Sequence, residues 1–138
     1  QIHEAKAYGA DAILLIAACL SAEETNQLAK TAKDIGLEVL LEVHNLEELE
    51  QAPITYVDVV GVNNRNLIDF SVDQNTSITL AAHIPNDKVK ISESGISSYY
   101  SIEKLMQAGF DGFLMGEYFM LQDSPGLAAQ NFIQNFES

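Results

Sequence analysis

Glu42 stands in the run Val39-Leu40-Leu41-Glu42-Val43, a carboxylate among apolar neighbours at what reads as the end of a β-strand. Burial there raises a carboxyl pKa toward the range useful for proton transfer, unless a nearby cation lowers it again. A structural ion pair is the alternative, but no lysine close in sequence stands out as the partner. His44 follows; alternation turns it the opposite way from Val43, a helix-cap or loop role suits it equally well, and it is set aside as a site residue. A second segment, Gly61-Val62-Asn63-Asn64-Arg65-Asn66-Leu67, also closes an apolar run. Asn and Arg side chains can fix a carboxylate, carbonyl or hydroxyl of a ligand, and Arg65 is the only arginine in the chain. The same Asn-Asn-x-Asn pattern is also ordinary turn chemistry.

Two further runs end in glycine turns, Ser92-Glu93-Ser94-Gly95-Ile96 and Met115-Gly116-Glu117-Tyr118. Glycines after the last two strands, with a short helix starting at once, make a nest of backbone N–H groups suited to a phosphate. Amide dipoles rather than lysines then supply the positive potential, so a strongly acidic chain can still bind an anion. In the plainer alternative, Gly95 and Gly116 only permit tight turns.

These groups need a frame. Val-, Ile- and Leu-rich runs occupy Asp11 to Ile16, Val39 to Val43, Asp58 to Val62, Lys88 to Ser92 and Gly112 to Met115. Most do not alternate, which is the pattern of parallel strands covered on both faces. Between them lie segments of helical period. The clearest is Ala22 to Gly36, with Ser21 as N-cap, Glu24 completing a capping box and Gly36 as the stop. Asn45 opens a shorter helix, and Asp73 to His83, Ser98 to Ala108 and Asp123 to Phe136 complete the set, the last opened by Asp123-Ser124-Pro125. One helix per gap between strands predicts an α/β repeat without a second domain. No Gly-x-Gly-x-x-Gly turn marks a dinucleotide-binding sheet, so the closed eight-stranded barrel is favoured. A whole barrel takes about 250 residues. These 138 residues supply five strands and begin inside a helix, which predicts a single partial barrel domain over 1–138, its true start lying upstream.

Composition narrows the partners. Seven Lys and Arg against twenty Asp and Glu leave a net charge of −13, which removes the cations that nucleic-acid phosphates require. The longest apolar run, Ala12 to Leu20, falls well short of the roughly 20 residues of a membrane-spanning helix. A lone Cys19, with no Cys-x-x-Cys and no clustered histidines, predicts no disulfide, no metal and a reducing, cytoplasmic setting. An open piece of barrel would leave strand edges at Asp11 to Ile16 and Gly112 to Met115 unpaired and an apolar inner face exposed, so self-association is expected.

Gly9-Ala10-Asp11-Ala12 with Leu14-Leu15-Ile16, Leu41-Glu42-Val43-His44, the Asn63-Asn64-Arg65 turn, Ser92-Glu93-Ser94-Gly95-Ile96 and Gly112-Phe113-Leu114-Met115-Gly116-Glu117 resemble, in order and spacing, indole-3-glycerol phosphate synthase. Sister phosphate-binding barrels share the glycine turns but not the Glu42 run together with Asn-Asn-Arg and Ser-Glu-Ser-Gly. The resemblance implies the C-terminal portion of a TIM (β/α)8 barrel, about strands four to eight. It also implies closure of the indole ring of 1-(2-carboxyphenylamino)-1-deoxyribulose 5-phosphate in tryptophan biosynthesis, with loss of carbon dioxide and water and without cofactor or metal. It carries Glu42 over as the carboxylate that handles protons in the later dehydration and Asn63 as a substrate-positioning amide, with Arg65 as a helper. Ser94, Gly95, Gly116 and Glu117 map to the substrate phosphate, chiefly through backbone. Asn66 stands where the family often has Asp, and the family's essential lysines fall upstream of Gln1, so the 138 residues alone are expected to be inactive. The alternatives are another phosphosugar barrel, such as phosphoribosylanthranilate isomerase or the tryptophan synthase α chain, and a non-catalytic half-barrel that binds phosphate.

Overall fold

In the computed structural model, which describes residues 1–136, every one of the five apolar runs is a strand. They are β1 (Ala12–Ile16), β2 (Glu38–Val43), β3 (Val59–Asn63), β4 (Val89–Glu93) and β5 (Gly112–Leu114). All neighbours are parallel and the sheet runs in chain order from β1 to β5. Helices α1 (Ile2–Ala7), α2 (Ala22–Asp34), α3 (Leu46–Gln51), α4 (Asn75–Leu80), α5 (Tyr99–Gln107), α6 (Glu117–Met120) and α7 (Pro125–Phe136) lie before, between and after the strands.

The helix ends follow the expected chemistry. Ser21 Oγ accepts from Glu24 N–H, and the Glu24 carboxylate accepts from Ser21 N–H at 2.8 Å, the reciprocal box that satisfies two orphan donors of α2. Asn45 Oδ1 and Ser98 Oγ cap α3 and α5 by accepting from the N–H groups of Glu48 and Ser101. The segment expected as one helix over Asp73 to His83 is instead α4 followed by a 3-10 turn, Ala81–His83. Here the buried Lys90 Nζ donates to Ala81 C=O at 3.0 Å and takes up a carbonyl where the helix tightens.

Alternation sorts the sheet into two faces. Val39, Leu41, Val43, Val60 and Val62 face the helices and are fully buried with Ala29, Ala32, Leu80 and Leu105. Ser92 shares that outer face, and its hydroxyl joins Ser77 and the side chain of Asn64 in a buried network that ties the β3–α4 loop to β4. Register between strands is pinned from below by two aspartates that immediately precede a strand. Asp58 Oδ2 accepts from Val39 N–H and Asp111 Oδ2 from Lys90 N–H, each at 2.8 Å, so each carboxylate bonds the second residue of the strand before its own.

The apolar inner face is open: Leu14, Val89 and Leu114 are 50, 47 and 50% exposed. Among the described residues β1 and β5 are edge strands, each with one neighbour. Such a surface buries apolar area by pairing with a second copy, and open parallel edges template further strands. Sedimentation of this chain from micromolar to millimolar concentration is therefore expected to show concentration-dependent association; a single monomeric species throughout would contradict it.

Candidate active site

The inner face carries its polar groups at the carboxyl ends of the strands. Glu42 is the fifth residue of β2, paired in register with Gly61 of β3, while Asn63 of β3 pairs with Glu93 of β4. Asn63 Nδ2 donates to Glu42 Oε1 at 3.1 Å, and Asn63 Oδ1 accepts from Arg65 N–H at 3.0 Å. The amide is thereby fixed in one orientation, with its donor on the carboxyl. Glu42 and Glu93 are both 7% exposed.

Gly61 makes their meeting possible. A Cβ at this position would collide with Glu93 Oε1 and press on Leu40, so the carboxyl of Glu93 lies over the bare backbone of β3 toward Glu42. Burial first, and then the charge and hydrogen bonding of Glu42, push the Glu93 carboxyl up to about 7. Its Oε1 has no hydrogen-bond partner among the described residues, a position that favours the neutral acid over a buried charge. Two carboxyls with environments that hold one of them protonated near neutral pH form an acid–base pair.

Glu93 was legible only as part of the Ser-Glu-Ser-Gly turn. The signal that would have singled it out is the alternation that also selects Glu42: both sit at the inward positions of their strands. His44 belongs here too. It is turned away from Val43 as expected, and therefore lies on the side of Glu42, with Nε2 3.0 Å from Glu42 Oε1 and a side chain 8% exposed.

The glycine turns come together on a neighbouring cavity of about 560 Å³, lined by Arg65, Glu93, Ser94, Gly95, Gly116 and Glu117 among others. Ser94 and Gly95 have φ of 67° and 72°, two successive left-handed residues. Their carbonyls are held from outside: Asn64 Nδ2 donates to Ser94 C=O at 3.1 Å and Gln74 Nε2 to Gly95 C=O at 2.6 Å. Val72 packs where a Cβ of Gly95 would stand, which closes this turn to any larger residue. Among the described residues the N–H groups of Ser94, Gly95, Ile96, Gly116 and Glu117 have no protein acceptor. Arg65 bridges the mouth, its Nη2 2.7 Å from Glu117 Oε2, so the Glu117 carboxylate is offset by the one arginine.

The model of the family "Indole-3-glycerol phosphate synthase" matches residues 1–132. The chain belongs to the indole-3-glycerol phosphate synthase family. Among curated relatives carrying that name, the protein of Bacteroides thetaiotaomicron is 48% identical over 134 residues, 97% of this chain and 51% of the relative. Those of Campylobacter jejuni and Polynucleobacter asymbioticus are 44% and 45% identical over 128 residues, 93% of this chain and 50% and 48% of the relatives. The chain spans about half the length of the curated relatives it matches. Five parallel strands with alternating helices fit part of a TIM barrel, the fold the family resemblance implied. No helix among the described residues is long and apolar enough to cross a membrane, and no group of three His, Cys, Asp or Glu side chains is placed to hold a metal ion.

Proposed function

We propose that this chain supplies the carboxyl-terminal half of an indole-3-glycerol phosphate synthase active site, a decarboxylating lyase site that closes the indole ring of 1-(2-carboxyphenylamino)-1-deoxyribulose 5-phosphate. The observation that carries the reading is the Glu42–Glu93 pair with the Asn63 amide, set beside a cavity lined by two glycine turns. Ring closure followed by loss of carbon dioxide and water needs groups that give and take protons on one face of the sugar chain while the phosphate is held still. Glu42 takes the proton-handling role. Asn63 positions Glu42 and the substrate oxygens, and Glu93 supplies a carboxyl that is an acid near neutrality. Ser94, Gly95, Gly116 and Glu117 receive the phosphate on their backbone N–H groups. Arg65 contributes a charge-assisted donor from the rim. A general-acid lysine belongs to the other half of the barrel, so turnover requires that half; a reducing, cytoplasmic setting suits the exposed Cys19.

The open inner face favours a second reading for these residues taken alone, a half-barrel that binds phosphate without catalysis. Titration of this chain with inorganic phosphate, followed by amide NMR, is expected to shift Gly95, Ile96, Gly116 and Glu117 together. Gly95→Ala, which meets Val72 and an unfavourable φ costing about 1–2 kcal/mol, should abolish those shifts. Shifts confined to other amides would remove the anion site. Ring closure by the full-length protein, assayed as formation of indole-3-glycerol phosphate, tests the activity itself; its absence would overturn the reading.

A further inference from the structure

His44 has two carboxylate neighbours and only one of them belongs to the proposed acid–base pair. On α3, Glu48 is held twice as a capping residue: its N–H donates to Asn45 Oδ1 at 2.9 Å and its Oε1 accepts from Asn45 Nδ2 at 2.7 Å. The remaining oxygen, Oε2, accepts from His44 N–H at 2.8 Å and lies 3.1 Å from His44 Nδ1. A carboxylate only accepts, so Nδ1 carries the hydrogen and the ring is locked by the helix cap. This leaves Nε2, buried, 3.0 Å from Glu42 Oε1 and off the axis of a well-directed hydrogen bond, as the one ring atom without a committed partner among the described residues. Glu42 Oε1 already accepts from Asn63, so a proton on that carboxyl has His44 Nε2 and Glu93 as its neighbours.

We propose that His44 is a positioning residue for Glu42, a ring whose Nδ1–H is anchored on Glu48 and whose Nε2 holds the proton that Glu42 releases and returns. The transfer balances within the pair: Glu42 carboxylic acid and neutral imidazole become carboxylate and imidazolium, and the return step reverses it. A carboxylate that orients an imidazole is the general means by which a base is kept in one tautomer. The charged groups facing the ring are Glu42 from β2 and Glu48 from α3. Arg65 and Asp73 of the β3–α4 loop line the same cleft, and Glu93 of β4 acts on the ring through Glu42. The inference rests on the ring-closing reading above and adds to it the group with which Glu42 exchanges its proton.

Two measurements test it. In the full-length protein, His44→Gln retains an amide donor toward Glu42 but cannot titrate, and Glu48→Gln keeps the helix cap while removing the anchoring charge. Both are expected to lower kcat by about tenfold, the low end of what orienting partners contribute, with KM within about twofold. Both should also displace the same limb of the kcat–pH profile, while His44→Ala falls further. Profiles of His44→Gln and Glu48→Gln that superimpose on the parent, in a protein whose parent closes the ring, would overturn the proposal and leave the activity reading intact; an inactive parent would overturn that reading instead. Ring 15N NMR of the 138-residue chain decides the geometry without any assay. Nδ1 should be the protonated nitrogen, and Glu42→Gln should move the Nε2 resonance while those of His3 and His83 stay. An unprotonated Nδ1, or an Nε2 indifferent to Glu42→Gln, would overturn it.

Discussion

Glu42→Gln in the full-length protein is expected to lower turnover by about 10² to 10⁴, the usual contribution of a general acid or base, with substrate affinity retained within a few-fold. Gln keeps the length of the side chain and an oxygen for the Asn63 Nδ2 bond, so the inner face at β2 stays shaped as it is. What it loses is the titrating group between Asn63, Glu93 and His44. Because the interaction removed is one made to a moving proton, the loss should fall on kcat rather than KM. Steady-state kinetics with the phosphorylated carboxyphenylamino substrate checks this. Unchanged turnover would make Glu42 a structural residue and remove the site assignment.

The second large effect concerns stability. Glu93 has its folded-state pKa raised from 4.5 to about 7, so the folded protein binds its proton more tightly than the unfolded chain does. The stability that this group contributes is therefore complete below pH 4.5, declines as the pH rises through about 7 and is constant above it. At 1.36 kcal/mol per unit, a shift of that size corresponds to a loss of about 3 kcal/mol. Glu93→Gln, a neutral mimic of the acid, should be more stable than the parent by that amount at pH 8 and no more stable at pH 4.5. Urea unfolding of both at fixed protein concentration across this range measures it. Parallel curves for the two proteins would show that Glu93 ionises freely in the fold.

The strands were legible because parallel, helix-covered strands are continuous apolar runs, and each was placed to within one residue at either end. Ser21 with Glu24, Asn45, and Pro125 marked their helices through local hydrogen bonds and backbone restriction that a sequence displays directly. The site was legible in part, for the same reason: Glu42 stands out as a charge inside an apolar run. Glu93 did not, since it lies at the end of its run beside serines, where an acidic residue attracts no notice. Its burial depends on Gly61, a residue on another strand with no side chain to signal what lies over it. His44 reads from sequence as a cap or loop residue, and the structure shows it bonded to the α3 cap at Glu48 while its Nε2 lies beside Glu42. Where the Asp73 to His83 segment turns from α to 3-10, the Ala81 carbonyl is taken by Lys90, nine residues on, and no periodicity within the segment reports that contact.

Asp58 and Asp111 share a position, one residue ahead of a strand, and a task, closing a hydrogen bond to the strand on the β1 side. Asp11 holds that same position ahead of β1, exposed and without a side-chain partner among the described residues. By analogy with Asp58 and Asp111, its carboxylate offers a socket to the second backbone N–H of a parallel strand added at this edge. Such a socket selects alignment as well as partner, because a strand slid by one residue would present its side chains to the wrong face. An added strand that paired with β1 out of step would leave Asp11 unbonded, and the edge that looks most open in the sheet is for that reason the one with a built-in test of fit.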